Sequence, residues 1–162
     1  MRDRPAVFLS VALAMALNHA TICSADSVTS SSAQSDVTTK QVDTMKIRLM
    51  VNGKAMTATL IDSGTTHDFI SLLPLTLTMN DLFEREKFAH LPRAISTEGK
   101  RTHAYEVGDV AYWAPGPDVA VFYRHDGQKI PTPGVIVIGK IDSGVEKLDV
   151  PGSVRVTFER HK

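Results

Sequence analysis

The residues best placed to do chemistry are Asp62-Ser63-Gly64-Thr65, which follow the apolar pair Leu60-Ile61. An aspartate in such a turn suits a reaction in which two carboxylates share one proton. One then acts as base on a water while the other donates to a carbonyl. A single copy per chain requires two chains to complete the pair. The same residues also read as a turn: Ser63-Gly64 redirects a strand into a helix, and Asp62 accepts hydrogen bonds from turn amides. Short motifs of common residues match by chance, so the turn is the favoured reading. His67, His90, His103, His125 and His161 lack metal-ligand spacing, so no metal site and no cofactor are expected. Ser63, His67 and Asp62 are neighbours in sequence, but no Gly-x-Ser-x-Gly turn presents the serine as a nucleophile.

Residues 1–25 carry Arg2 and Arg4, an apolar run over 6–17, and Ser24-Ala25, the layout of a secretory signal. Cleavage after Ala25 is expected, leaving an exported protein, periplasmic or secreted. The lone cysteine, Cys23, falls inside that segment, so thiolate catalysis and disulfides are not expected of the remainder. Residues 26–43 are rich in Ser, Thr, Gln, Asp and Lys and read as a linker with too little apolar surface to fold. The domain is expected over 44–162. Removing residues 1–25 leaves 18 − 2 = 16 basic against 18 − 1 = 17 acidic residues. Basic residues are scattered rather than striped, so neither nucleic acid nor an anionic membrane is an expected partner.

The elements that position these residues are mainly strands. Met45, Ile47, Leu49 and Val51 alternate along one face, and Asn52-Gly53 is a strong hairpin signal. On the return strand Met56, Ala58 and Leu60 point inward, and the alternation carries Asp62 onto the same inward face. Thr65 and Asp68 form a capping-box-like pair opening a helix of about two turns that ends before Pro74. Further strands are expected over 75–79, 102–107, 110–113, 119–122, 135–141 and 154–159, and a helical turn is expected within 81–89. Many short strands with one or two short helices predict an all-β closed barrel or sandwich.

The motifs Phe69-x-Ser-Leu-Leu-Pro-Leu-Thr-Leu77, Glu86-Lys87, Leu91-Pro92, Gly108-Asp-Val-Ala-Tyr-Trp113, Ala120-Val-Phe-Tyr123 and Ile138-Gly-Lys-Ile141 occur in consistent order. Together they resemble the bacterial and archaeal cyclophilin-like fold proteins over residues 45–158. The resemblance implies a closed antiparallel barrel of about eight strands with one or two short helices. Prolyl isomerases place an arginine near a Phe-x-x-Gln element and carry a Gly-Gly-Asp-Phe run; neither is present, so the motifs do not support isomerase activity. A residual isomerase would need another donor, such as Arg85 or Arg93. The Asp62 motif, with Ile136-Val-Ile-Gly139 as the apolar-glycine element downstream, resembles that of single-lobed, homodimeric aspartic proteases, which stands as the alternative. The favoured expectation is a module binding a small molecule or peptide. Its candidate residues are Glu86, Tyr112, Trp113, Phe122, Tyr123 and Arg124, with alternation sending one aromatic of each adjacent pair outward.

Overall fold

The computed structural model describes residues 45–161. The expected signal segment 1–25 and linker 26–43 lie outside the described residues. The first hairpin forms as the alternation requires: β1 (Lys46–Val51) pairs with β2 (Lys54–Leu60), and Asn52 and Gly53 take φ of 49° and 76°. Two successive left-handed residues give the turn whose twist matches that of the strands. β9 (Val154–Arg160) lies on the other side of β1, followed by β3 (Leu75–Leu82), β4 (Glu86–His90), β7 (Asp118–Phe122), β6 (Asp109–Trp113) and β8 (Val135–Ile141). β8 then returns to β2 through Ala58↔Ile141, Thr59↔Lys140 and Leu60↔Gly139, closing an eight-stranded antiparallel barrel. The two-residue β5 (Arg101–Thr102) adds to the free part of β8.

The closing seam is narrow. A Cβ at Gly139 would lie 2.8 Å from the Thr59 carbonyl oxygen and 2.6 Å from Leu60 Cδ2, so only glycine lets the strands meet. Just beyond it, Asp142 accepts from Lys46 Nζ at 2.8 Å, Thr57 Oγ1 at 2.9 Å and Thr59 Oγ1 at 2.6 Å, tying β1 and β2 to the end of β8. The barrel interior is filled by side chains such as Leu49, Met79, Tyr112 and Ile138, with Phe69 of α1 (Gly64–Ser71) edge-on to Phe158 at 5.7 Å. Lys87 is fully buried at one end. Its Nζ donates to Asp81 Oδ2 and to the carbonyls of Val150 and Gly152, so the charge is paired and every proton is used.

Four sequence expectations are corrected. Residues 81–89 form a hairpin rather than a helical turn, because Phe83 and Glu84 take φ of 56° and 52° and Asp81 Oδ1 accepts the Glu84 amide. The strand expected over 102–107 stops at Thr102, and its remainder crosses the barrel's outer face. The helix cap is Ser63, whose Oγ accepts from the Thr66 amide; Thr65 lies inside the helix. Asp62 does not face inward: β2 ends at Leu60, and the Asp62 side chain is 82% exposed.

Burial pushes the Asp142 carboxyl up, but the hydrogen bonds from Lys46, Thr59 and Thr57 win and hold it at about 2, below its usual 3.8. A depressed folded value contributes stability that is complete above the unfolded value and is lost as pH falls through the folded one. Asp142→Ala is expected to cost about 1–2 kcal/mol at pH 7, discounted for solvent at this partly exposed site. The deficit should shrink between pH 4 and 2, as read by urea unfolding across pH; a pH-independent deficit would contradict the assignment.

Candidate ligand pocket on the outer face of the barrel

On β4, β7, β6 and β8 the strand alternation buries both faces. Ala89, Val110, Tyr112, Val119 and Val121 join the interior, while Phe88, Ala111, Trp113, Ala120, Phe122 and Val135 belong to a second, outer cluster. Two irregular segments cover that outer face. Tyr105 stacks on Phe122 at 4.2 Å and His125 stacks on Tyr105 at 4.8 Å. Ile130, which completes the cluster, is held by a mutual pair with His103: its amide donates to the His103 carbonyl and its carbonyl contacts His103 Nδ1, each at 2.8 Å.

The cover is incomplete. Between the β3–β4 turn, the outer strand faces and the 130–131 segment lies a pocket of about 240 Å³, walled mainly by Phe83, Phe88, Trp113, Ala120, Ile130 and Val135. Polar groups enter it at three points: Arg85, Glu86 and Asp118. All three are buried. Arg85 Nε donates to Glu86 Oε1 at 3.1 Å and its Nη1 donates to Asp126 Oδ2 at 3.1 Å. Asp126 in turn accepts from the Tyr105 hydroxyl at 2.5 Å. The Arg85 guanidinium also lies over the Phe83 ring at 5.1 Å and over Tyr105 at 5.4 Å, while the Arg85 carbonyl accepts the amides of Tyr123 and Arg124. One arginine therefore fastens the 123–126 segment to the turn at the pocket's mouth.

Electrostatics single out the two pocket carboxyls. Burial pushes Glu86 above the ordinary carboxylate range against the pull of Arg85. Burial does the same to Asp118 against the pull of His90. His90 Nδ1 sits 2.5 Å from Asp118 Oδ1 but is aligned on the Gly116 carbonyl at 2.8 Å, so the buried Oδ1 has charge proximity without a directed hydrogen bond. Asp126 behaves oppositely: the Tyr105 hydroxyl, the Gln128 amide and Arg85 hold it at about 2. At the mouth, Phe83 is 71% exposed with a left-handed backbone, a conformation that costs a non-glycine residue about 1 kcal/mol or more.

The residues singled out by sequence separate. Glu86 and Trp113 line this pocket. Phe122 faces outward but lies wholly beneath Tyr105. Tyr112 points into the barrel, where its hydroxyl accepts the Ile95 amide at 3.3 Å. Tyr123 also points inward, and its hydroxyl donates to Asp81 at 2.6 Å. Arg124 grips Asp149 with two contacts of 2.9 Å beside a different, more polar cleft. Asp62 contacts His67 Nε2 at 2.7 Å and is exposed on the single chain. Arg93 is engaged with Asp68 of α1. Among the described residues no group of three or more His, Cys, Asp or Glu converges for a metal ion, and no helix is long and apolar enough to cross a membrane.

Phe83, Asp118 and Ile130 were not among the sequence candidates, and Arg85 was named only as an isomerase donor, not as a pocket residue. Parity offered part of the signal: Asp118 precedes Ala120 and Phe122 on one face of β7, as Glu86 precedes Phe88 on β4. Replacing Arg85 leaves Glu86 buried without its partner, so Arg85→Met is expected to cost about 3–5 kcal/mol. Amide exchange over residues 123–130 should accelerate beyond the change in the barrel strands; uniform acceleration would mean that Arg85 does not hold this segment.

A family model described as Cyclophilin-like family matches residues 49–159. Among solved structures, that of a hypothetical protein from Archaeoglobus fulgidus, determined in solution, superposes with a TM-score of 0.58 at 24% identity. The match covers 73% of this chain and 95% of that one, and at this identity it speaks for the fold alone. No curated protein matches the chain.

Proposed function

The chain belongs to the Cyclophilin-like family, and on that barrel we propose a binding module whose outer pocket takes a small apolar molecule or an apolar side chain of a peptide. The observation that carries this reading is the pocket itself: about 240 Å³ of mainly apolar wall with a few convergent, buried polar groups. That is the usual composition of a ligand site, in which apolar contact supplies affinity and a few polar atoms fix orientation. The exposed, strained Phe83 at the mouth supports it, since such strain is retained where the surrounding structure uses it. The signal-like residues 1–25 support a reading of the module as exported, periplasmic or secreted.

The other two readings receive less support. An isomerase donor must be free to meet a twisted amide, and Arg85 is committed to two carboxylates. The Asp62 motif is accounted for by the turn that Ser63 caps.

Trp113 is the only tryptophan and lies on the pocket wall, so its fluorescence reports occupancy. Titrating the full chain with benzyl alcohol should give a saturable change with a Kd of about 1 mM, near 4 kcal/mol for so small a ligand. Ala120→Leu, which fills part of the pocket, should weaken it about ten-fold. A linear response in the wild-type protein would contradict the proposal.

A further inference from the structure

We infer that the ligand of this pocket carries a cationic nitrogen on an apolar body, with the carboxylates of Glu86 and Asp118 receiving the charge. The inference rests on the reading of the pocket as a binding site and adds the chemical class of what binds. Glu86 and Asp118 are 6% and 8% exposed, and both lie on the pocket wall. Glu86 gives Oε1 to Arg85, and no described residue donates to its Oε2. Asp118 holds its buried Oδ1 without a directed hydrogen bond, so that only the proximity of His90 Nδ1 at 2.5 Å offsets the desolvation of a charged oxygen.

Among the described residues, Arg85 is the only arginine or lysine on the wall, and it is already paired. On the wall one positive group faces two carboxylates, Glu86 and Asp118, for 1 − 2 = −1 before His90 is counted, and Asp126 behind the wall takes a share of the same Arg85 charge. An anion entering here meets that excess, and the Arg85 charge that would receive it is already shared by two carboxylates. An ammonium entering here supplies the donors that Glu86 Oε2 and Asp118 Oδ1 lack, in a setting dry enough for the attraction to count. The remaining wall suits the same ligand: Phe88 and Trp113 cover an apolar body, and aromatic faces attract cations at close range. His90, the second group close to Asp118, is three-quarters exposed and bonded to the Gly116 carbonyl, so it can turn aside toward solvent.

The test compares near-isosteric probes on the full chain by Trp113 fluorescence: benzylamine as its ammonium, benzyl alcohol, and benzoate. The inference expects benzylamine to bind at least about ten-fold more tightly than benzyl alcohol, and benzoate to bind most weakly. Asp118→Asn should collapse the amine-to-alcohol ratio to about two-fold or less. Should that variant fail to fold, the order of the three probes on the wild-type protein decides alone. Equal affinity for amine and alcohol would overturn the charge assignment while leaving the pocket a binding site, and tightest binding of benzoate would overturn it in favour of Arg85. Absence of saturable binding by all three would remove the pocket reading and this inference with it. A free amine and a lysine side chain share this chemistry, so a capped alanine-lysine-alanine peptide is titrated beside benzylamine, and the tighter of the two identifies the source.

Discussion

An eight-stranded sheet can close on itself only if its two outer strands meet, and in this protein they meet over three residue pairs between β2 and β8. Gly139 makes the approach possible, because any side chain there would occupy the space of the Thr59 carbonyl and the Leu60 side chain. Closure has a consequence for function. The interior of a barrel this narrow is filled by its own side chains, and here one end is also plugged by Lys87, Asp81 and Tyr123. A ligand has to be met on the outside.

The outside is suited to that task only along β4, β7, β6 and β8, where apolar residues occupy both faces of the sheet. Such a surface cannot remain bare in water, and the segments around Tyr105 and Ile130 cover most of it. What they leave uncovered becomes the pocket. Arg85 organises its edge by joining the β3–β4 turn, Glu86 and the Asp126 segment. The charges there are expensive to bury, and Asp118 is compensated least. Together with the left-handed Phe83, they mark a region whose local interactions do not maximise stability.

How much of this could be read in the sequence follows from how local each feature is. The alternation of β1 and β2 and the Asn52-Gly53 turn are properties of adjacent residues, and both appear in the structure as expected. The closed, mainly β barrel follows from the strand count and the cyclophilin-like motifs. The 81–89 hairpin was missed because its turn uses Phe83 and Glu84 where glycine or asparagine is customary. Alternation does place Tyr112 and Trp113 on opposite faces, and Phe122 and Tyr123 likewise, but it cannot reveal that the outer face is itself covered. A clue was present in Val119-Ala-Val-Phe-Tyr123: an uninterrupted apolar run belongs to a strand buried on both sides. The role of Arg85 was not legible, since Asp126 stands 41 residues away. Asp62 misled because β2 ends two residues before it.

The central claim is one of place: ligands bind on the outer face of β4, β7 and β6, at the two buried carboxyls. It is tested most directly by mapping amide chemical-shift changes of the full chain during a benzylamine titration. The account predicts changes concentrated in the segments 82–88, 113, 118–120 and 130–135, which carry the residues that wall the pocket. Changes centred instead on the Arg124–Asp149 cleft or around Asp62 would contradict it.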